Sequence, residues 1–314
     1  MTFLTGHAVV VGVGADLPNT VDDAQAIADL LRDEGRCAYP PDQVQLLTAA
    51  QSTRDRTLQA LEDLAKRTDE ESAVLIYYSG HGTFVEKDGH KDYFLLTHGY
   101  NLGNLGQTAV SDAEFTAALA KLKVKRLLLL LDCCHAAGLD QTKAPGVTFA
   151  KGAIPPQAEE MLKKGGGRVV IASSRSNELS FAGKPYSAFT QALIEGLSGA
   201  GAATQDSFAR VADLAMYTAF RVPGRTKDRQ HPVLNFEKAD NFPVAYYAGG
   251  DLKPKGTPFP MPAEIEPEPG EWSVKIGILV PGGQHADKIF NVAGNATFDM
   301  SNEPRSSKPE RPNK

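Results

Sequence analysis

The sequence predicts an α/β fold in which helices cover both faces of an open, mostly parallel sheet. Two short runs, at residues 74–78 and 127–131, are aliphatic or aromatic throughout and stop abruptly at small or polar residues. Fully buried parallel strands have this pattern. Segments with the apolar spacing of helices lie between these runs and the other strand-like segments, and such alternation is typical of a parallel sheet.

The elements follow one another in a regular order from the amino terminus. Predicted strands cover residues 8–14, 44–47, the segment ending at residue 81, the segment ending at residue 134, and residues 168–172. Predicted helices begin near residues 20, 52, 111, 187 and 207, and the third of these opens with a capping box formed by Ser111 and Glu114.

The carboxyl-terminal part of the chain has a different composition. On the strand and helix pattern, residues 1–250 form the folded domain. Residues 251–270 are a Pro- and Glu-rich linker that cannot bury enough apolar surface to pack. Residues 271–300 contain a strand-like segment too short for a core of its own. We predict a small appendage there and a disordered tail at residues 301–314.

Composition and charge exclude several classes of protein. The chain has 314 residues, 42% of them hydrophobic, and a net charge of −5. Nucleic-acid and membrane-surface proteins favour clustered positive charge, and no apolar run approaches the roughly 20 residues that span a bilayer. The amino terminus lacks the features of a secretory signal, and three cysteines, two of them adjacent, make a poor disulfide framework. We therefore expect a cytoplasmic protein without nucleic-acid or membrane partners.

Reactive side chains follow both apolar runs. His81 lies in the segment Ser79-Gly80-His81-Gly82 after the first run, and Cys134 lies at residues 132–135 (Asp-Cys-Cys-His) after the second. Neighbouring parallel strands would bring the two groups to one edge of the sheet, where open α/β sheets place their active sites. An imidazole beside a thiol can take its proton and make it a nucleophile.

These motifs resemble the two active-site motifs of the caspase and metacaspase family, especially its bacterial members. Cys134 follows His81 by 134 − 81 = 53 residues, close to the spacing of about 50 in caspase-type proteases. The similarity runs from near Val9 to about Tyr247. It implies a six-stranded sheet and a cysteine endopeptidase without a cofactor. Cys134 would be the nucleophile, His81 the general acid/base, and the backbone N–H groups of Gly82 and Cys134 the oxyanion hole.

The residues beside Cys134 allow two other interpretations. Cys133 is a rival nucleophile, but side chains alternate along a strand, so only one of the two cysteines can face His81. The family pattern places the nucleophile two positions after the aspartate, which selects Cys134. His135 together with both cysteines suggests zinc, but adjacent residues point apart and no fourth ligand is evident, so we predict no metal site.

Two aspartates indicate which substrates the enzyme would prefer. Asp132 precedes Cys134 by two positions, and Asp23 follows the first strand. The resemblance implies that these two aspartates lie at the floor of the primary pocket, as in metacaspases. Caspases have arginines there. Paired carboxylates bind a guanidinium well, so we expect cleavage after Arg, with Lys second. Asp23 also fits a capping box that starts at Thr20.

Two further regions are assigned by the resemblance. Ser173 and Ser174 follow the fifth strand, where the family lines its substrate groove, and their backbone could pair with an extended peptide. The alternative for these serines is an ordinary exit from a strand. Many family members cut themselves after the nucleophile strand, which makes Lys143, Lys151 and Lys164 possible self-cleavage sites.

Calcium activation is also possible on the resemblance. Asp92, Asp112 and Asp140 fall near regions where calcium-dependent metacaspases carry acidic ligands. Calcium takes six to eight oxygen ligands, however, and scattered surface aspartates are usually solvated.

The resemblance also implies a biological setting. It indicates regulated proteolysis, such as bacterial defence or cell-death signalling. In this setting an upstream sensor would activate the protease, and the protease would activate a partner protein. The substrate would be a protein or peptide with Arg or Lys at the cleavage position. Two rival functions are a catalytically silent caspase-like scaffold and another thiol hydrolase on the same fold.

Overall fold

The structure, a computed structural model, describes residues 1–87, 90–135, 148–151, 154–164, 167–175, 178, 180–181, 183–236 and 239–258. At positions 87, 90, 134–135, 148–151 and 163–164 it describes the backbone alone. Every described residue belongs to one compact unit, which spans residues 1–266.

Strands and helices alternate along most of the described chain. The strands are β1 (Gly6–Gly12), β2 (Val44–Thr48), β3 (Ala73–Lys87), β4 (His90–Leu96), β5 (Ala109–Ser111), β6 (Arg126–His135), β7 (Thr148–Lys151), β8 (Arg168–Ala172), β9 (Phe208–Arg210), β10 (Val233–Asn235) and β11 (Pro243–Tyr246). The helices are α1 (Asn19–Arg32), α2 (Arg54–Arg67), α3 (Leu105–Thr108), α4 (Asp112–Ala120), α5 (Pro156–Lys164), α6 (Ala188–Leu197) and α7 (Val211–Arg225).

Six strands follow one path through the central sheet, in the order β10-β8-β6-β3-β1-β2. β8, β6, β3, β1 and β2 are parallel, and β10 runs antiparallel to β8. β4 and β7 pair with the distal part of β3, and β5 pairs with β4. The expected open, mostly parallel six-stranded sheet is therefore confirmed, with three antiparallel strands added at one corner.

The central strands bury side chains on both faces. On one face, residues such as Val9, Ile76 and Leu129 share an apolar core with side chains of α2, α4 and α5. On the other face α1 and α6 pack, and the Tyr77 hydroxyl lies 2.7 Å from Thr190 Oγ1 of α6. Burial on both faces explains why the strands are continuously apolar rather than alternating.

β3 is longer than the sequence predicted. The prediction ended this strand at His81, but it continues to Lys87 and pairs antiparallel with β4 and β7. Gly80 and Gly82 interrupt the apolar pattern that sequence reasoning follows, yet they do not interrupt extended backbone. His81 therefore lies inside a long strand, at the point where its parallel neighbours end.

The capping box at the start of α4 is confirmed. Ser111 Oγ accepts a hydrogen bond from Glu114 N at 3.3 Å, and Glu114 Oε2 accepts one from Ser111 N at 3.0 Å. Of the predicted linker, residues 251–258 are described and form neither helix nor strand. The rest of the linker, the appendage and the tail lie outside the described residues. No described helix is long and apolar enough to cross a bilayer.

Candidate active site

The pairing of β3 with β6 brings His81 and Cys134 side by side. In the register of these two parallel strands, His81 is the direct partner of Cys134, and Gly82 is the partner of His135. Neighbouring strands lie about 4.8 Å apart, and direct partners occupy the same face of a sheet. The two positions selected from separate sequence motifs therefore meet at the carboxyl edge of the central strands.

The imidazole of His81 is buried and is bound at one of its two nitrogens. Only 4% of the residue is exposed. Its Nε2 lies 2.9 Å from Asp16 Oδ2, whereas its Nδ1 has no hydrogen-bond partner in the described part of the chain. The Tyr78 hydroxyl lies 3.0 Å from the carbonyl oxygen of His81 and so also contacts this strand segment. One ring nitrogen is thus held, while no described residue binds the other.

Asp16 was missed by the sequence analysis. It lies in the loop between β1 and α1, and its half-exposed carboxylate also accepts a hydrogen bond from the Tyr100 hydroxyl at 3.3 Å. Partial burial alone would raise the pKa of Asp16, but the hydrogen bond and charge of His81, with help from Tyr100, hold that pKa below its usual value. An isolated loop aspartate belongs to no motif, and its proximity to the end of the first strand was the one available signal.

Cys133 is a core residue and not a credible nucleophile. It is 3% exposed, and it belongs to the apolar core shared by α2, α4 and α5. Burial, and then the nearby charge of Asp132, raise the pKa of its thiol well above the usual value. A thiol that stays protonated is a poor nucleophile. Position 134 falls on the opposite face of β6, together with Asp132.

Asp23 and Asp132 meet below the same edge of the sheet. They are 2% and 0% exposed, respectively. Ser187 connects them, since its backbone N–H donates to Asp23 Oδ1 at 2.9 Å and its hydroxyl donates to Asp132 Oδ2. Asp132 also accepts hydrogen bonds from Ser180 Oγ at 3.0 Å and Thr190 Oγ1 at 3.1 Å. Two acidic groups predicted from distant parts of the sequence thus form one buried cluster.

The acid pair has no cationic partner in the described residues. Burial raises the pKa of both carboxyl groups, and the charge of Asp132 raises the pKa of Asp23 further. Hydrogen bonds from Ser187 and other hydroxyls oppose this effect at Asp132. No Lys, Arg or His side chain that the structure describes forms an ion pair with either group. Such a pair favours an external cation or a shared proton.

Asp23 does not cap its own helix. α1 begins at Asn19 after Pro18, and no side chain caps its amino terminus. Thr20 Oγ1 instead accepts a hydrogen bond from Gly14 N at 2.8 Å and donates to Leu17 O. The capping-box alternative for Asp23 is therefore wrong, because its carboxylate points across to the residue that precedes α6.

Comparison with known proteins identifies the family. A model of the caspase domain matches residues 5–242, which include β3, β6 and both aspartates. This chain belongs to the caspase domain family. The membership expected from the sequence is confirmed, and the family is one of cysteine peptidases in general. No curated protein matches the chain.

Solved structures share the fold of this caspase domain. A crystal structure of a protein from Geobacter sulfurreducens matches with a TM-score of 0.53 and 19% sequence identity. The match covers 76% of this chain and 98% of that one. At this identity the likeness supports the shared fold and nothing finer.

In the caspase domain, the two serines after β8 are buried. Ser173 is 1% exposed, its N–H donates to Leu131 O at 2.8 Å, and its carbonyl oxygen accepts from Gln230 Nε2 at 2.8 Å. These backbone groups are already bonded within the domain. Ser174 is fully buried, and its hydroxyl has no partner among the described residues. Pairing of an incoming peptide at Ser173 would require those two bonds to exchange.

Three consecutive residues hold the segment that follows β8. Gln230 is fully buried; besides Ser173 O, its amide reaches Ser180 Oγ at 3.2 Å and accepts from Phe181 N at 2.8 Å. The Arg229 guanidinium lies 4.6 Å from the centre of the Phe181 ring. His231 N donates to Glu178 at 2.7 Å. Ser180 in turn donates to Asp132, so these contacts help to position one side of the acidic cluster. The sequence analysis missed them.

The possible self-cleavage sites differ in their surroundings. Lys151 is the last residue of β7, and its backbone pairs with Thr83 of β3. Lys164 is the last residue of α5. Lys143 lies outside the described residues. A helix end must unwind before it can bind as an extended peptide, whereas a strand is already extended, so Lys164 and Lys151 present different backbones to an active site.

The aspartates considered for calcium also differ. Asp112 accepts hydrogen bonds from Gln157 N at 2.7 Å and Ala158 N at 3.1 Å, so both of its oxygens cap the start of α5. Asp92 is exposed on β4, and Asp140 lies outside the described residues. No group of three His, Cys, Asp or Glu side chains in the described part of the chain is arranged to hold a metal ion.

Proposed function

We propose that this caspase domain is a cysteine endopeptidase that cleaves peptide bonds after Arg, with Lys second. One observation carries the proposal most directly. The register of β3 and β6 sets Cys134 beside a histidine with a buried Nδ1, at the same sheet edge as a pair of buried acids. Neither that nitrogen nor the acid pair has a hydrogen-bonding or cationic partner, respectively, among the residues that the structure describes. The first feature favours thiol activation, and the second favours a basic substrate side chain.

The proposed reaction uses His81 as a proton carrier. Its imidazole takes the proton of the Cys134 thiol, and the thiolate attacks the carbonyl carbon of the scissile bond. His81 then gives that proton to the leaving amine, so the carbon–nitrogen bond breaks and an acyl-enzyme remains. A water molecule that is deprotonated by His81 hydrolyses the thioester and restores the thiol.

The backbone N–H groups of Gly82 and Cys134 are the proposed oxyanion hole. Cys134 is the penultimate residue of β6, and Gly82 lies inside β3 opposite the last residue of β6. A glycine at position 82 leaves the substrate carbonyl free of a nearby Cβ. Loss of one such donor typically costs about 2.7–4 kcal/mol of transition-state stabilisation.

Asp23 and Asp132 are the proposed floor of the primary pocket. A guanidinium could donate to both carboxylates at once, beside the Ser180 and Ser187 hydroxyls that hold Asp132 in place. A lysine ammonium supplies the charge without the planar fork, which ranks it second. An uncharged side chain would leave two buried carboxyl groups without compensation.

The biological setting is proposed on the family resemblance. It comprises regulated proteolysis in the cytoplasm, in bacterial defence or cell-death signalling, with an upstream sensor and activation of a partner protein. Self-cleavage at Lys143, Lys151 or Lys164 and activation by calcium are parts of the same proposal, and the contacts of Asp112 in capping α5 favour a structural role for that residue.

A peptide electrophile with Arg at the cleavage position tests the nucleophile. We expect mass spectrometry to locate the label on Cys134, with labelling abolished in Cys134→Ala and kept in Cys133→Ala. A peptide library should then show cuts after Arg and Lys with the wild-type protein and with Cys133→Ala, and no cuts with Cys134→Ala. Labelling without any peptide-bond cleavage would favour another thiol hydrolase, and absence of labelling would favour a silent scaffold.

The pocket assignment has a separate test. We expect Asp132→Asn to lower kcat/KM for an Arg peptide by about 100-fold, because removing one partner of a buried charge pair costs roughly 2–5 kcal/mol. The matched control is Asp22→Asn, which changes a neighbouring aspartate that makes no contact with Ser187. An equal effect of the two substitutions would contradict the pocket assignment.

A further inference from the structure

We propose that Asp16 is a positioning residue for His81, so that the site works as a Cys134–His81–Asp16 triad and not as a dyad. This inference rests on the proposed function and deepens it. It is carried by the 2.9 Å contact between His81 Nε2 and Asp16 Oδ2, together with the buried Nδ1, which no described residue binds.

The contact fixes which nitrogen can act on the thiol. A carboxylate accepts hydrogen bonds, so the Asp16 contact places a proton on Nε2 of His81. In the neutral ring the lone pair is then on Nδ1, which can accept the thiol proton. Asp16 also prevents the ring from turning over, because rotation would break the bond to Nε2. The carboxylate thus selects both the tautomer and the orientation that a general base at Cys134 needs.

Asp16 is itself held in place. Its loop closes with a hydrogen bond from Leu17 N to Gly14 O at 2.9 Å, and Gly14 N donates to Thr20 Oγ1 at 2.8 Å. The Tyr100 hydroxyl, which comes from the chain after β4, donates to the same Asp16 oxygen at 3.3 Å. Contacts from two separate parts of the chain therefore fix the carboxylate against β3.

The groups around His81 determine whether its surroundings favour the charged or the neutral ring. Asp16 is the charged group in contact with the ring, and Tyr100 donates a hydrogen bond to Asp16. The Tyr78 hydroxyl contacts the backbone carbonyl of His81. His98 is directed elsewhere, with Nδ1 at 3.3 Å from Val13 O. Among the described residues, therefore, the net charge facing the ring is negative. The carboxylate stabilises the imidazolium that forms when Cys134 gives up its proton.

The test compares Asp16→Asn with Asp16→Glu. Asn keeps the shape and loses the charge, whereas Glu keeps the charge on a longer arm. For Asp16→Asn we expect kcat on an Arg peptide to fall roughly tenfold with KM unchanged. Asp16→Glu should restore part of the lost kcat. Asp55→Asn, at an exposed surface ion pair, is the control.

A second readout does not require peptidase activity. Iodoacetamide alkylates the Cys134 thiolate, so the alkylation rate at pH 6 reports how well His81 stabilises that thiolate. We expect this rate to fall in Asp16→Asn and to recover in Asp16→Glu, with melting temperatures unchanged. If wild-type protein cleaves no peptide but the alkylation rate still follows the charge at position 16, the proposed function fails and the triad stands. Unchanged alkylation and cleavage rates in Asp16→Asn, or equal losses in both variants, would overturn the triad.

Discussion

The Ser187 hydroxyl connects the acidic cluster to the start of a helix, and its removal should be unusually costly. Its oxygen accepts a hydrogen bond from Thr190 N at 2.9 Å, as the amino-terminal cap of α6, and its proton is donated to Asp132. The residue is 1% exposed, so water cannot easily replace either bond in Ser187→Ala. The bond from its backbone N–H to Asp23 would survive.

The size of the effect follows from these two bonds. Loss of a serine cap typically costs about 1 kcal/mol. Loss of a hydrogen bond to a charged group costs about 1.5–3 kcal/mol, so the sum is roughly 2.5–4 kcal/mol. Ser111→Ala is the matched control because Ser111 caps α4 in a capping box, and its hydroxyl donates to the partly exposed Glu114 carboxylate and not to the buried acid pair. We expect it to lose about 1 kcal/mol.

Urea denaturation at pH 7 gives the free energy of unfolding of both variants, and the values can be compared when the dependence of that free energy on urea concentration is the same as in the wild type. We also expect Ser187→Ala to raise KM for an Arg peptide, since Asp132 would be less firmly placed, whereas Ser111→Ala should leave KM unaltered. Equal losses of unfolding free energy in the two variants would show that the bond to Asp132 contributes nothing, and the reasoning about the buried cluster would be refuted.

Three other substitutions probe the same edge of the sheet. Burial raises the pKa of Asp23, so its stabilising contribution is full below the pKa of the unfolded chain and is lost as pH rises through the pKa of the folded protein. Urea denaturation from pH 4 to 8 should therefore show that the free energy of unfolding falls less with rising pH in Asp23→Asn than in the wild type. Gly80→Ala should lower the melting temperature because its Cβ would lie 2.6 Å from Tyr78 Oη, whereas Gly106→Ala, with open space around it, should not. Gln230→Ala should raise KM for an Arg peptide with little change in kcat; an unchanged KM would contradict the role given to its contacts.

Much of the fold and half of the site could be predicted from the sequence because their signals are local. The strand ending at residue 172 and the capping box at Ser111 have the predicted bounds. His81 and Cys134 each close an apolar run, so the motif around each residue is contained in a few positions. Asp132 shares the second motif, which also made it visible.

The contacts that organise the site were not visible in the sequence. Asp16 lies 65 residues from His81, Ser187 lies 55 residues from Asp132, and Gln230 lies 57 residues from Ser173. Each of these partners is a common polar residue in a loop or at a helix start, with no pattern around it. The choice between a helix cap and a pocket for Asp23 was open for the same reason.

The sequence by itself determined that two buried parallel strands would present a thiol and an imidazole, since burial on both faces requires an unbroken apolar run and any reactive group must follow it. The tertiary structure alone decided what surrounds them. Strand register set Cys134 opposite His81, and the loops that converge at the sheet edge supplied Asp16 and Ser187. The physical reason is that hydrophobic periodicity is a property of residues close together in sequence, whereas a hydrogen bond between distant loops depends on the folded arrangement of the whole chain.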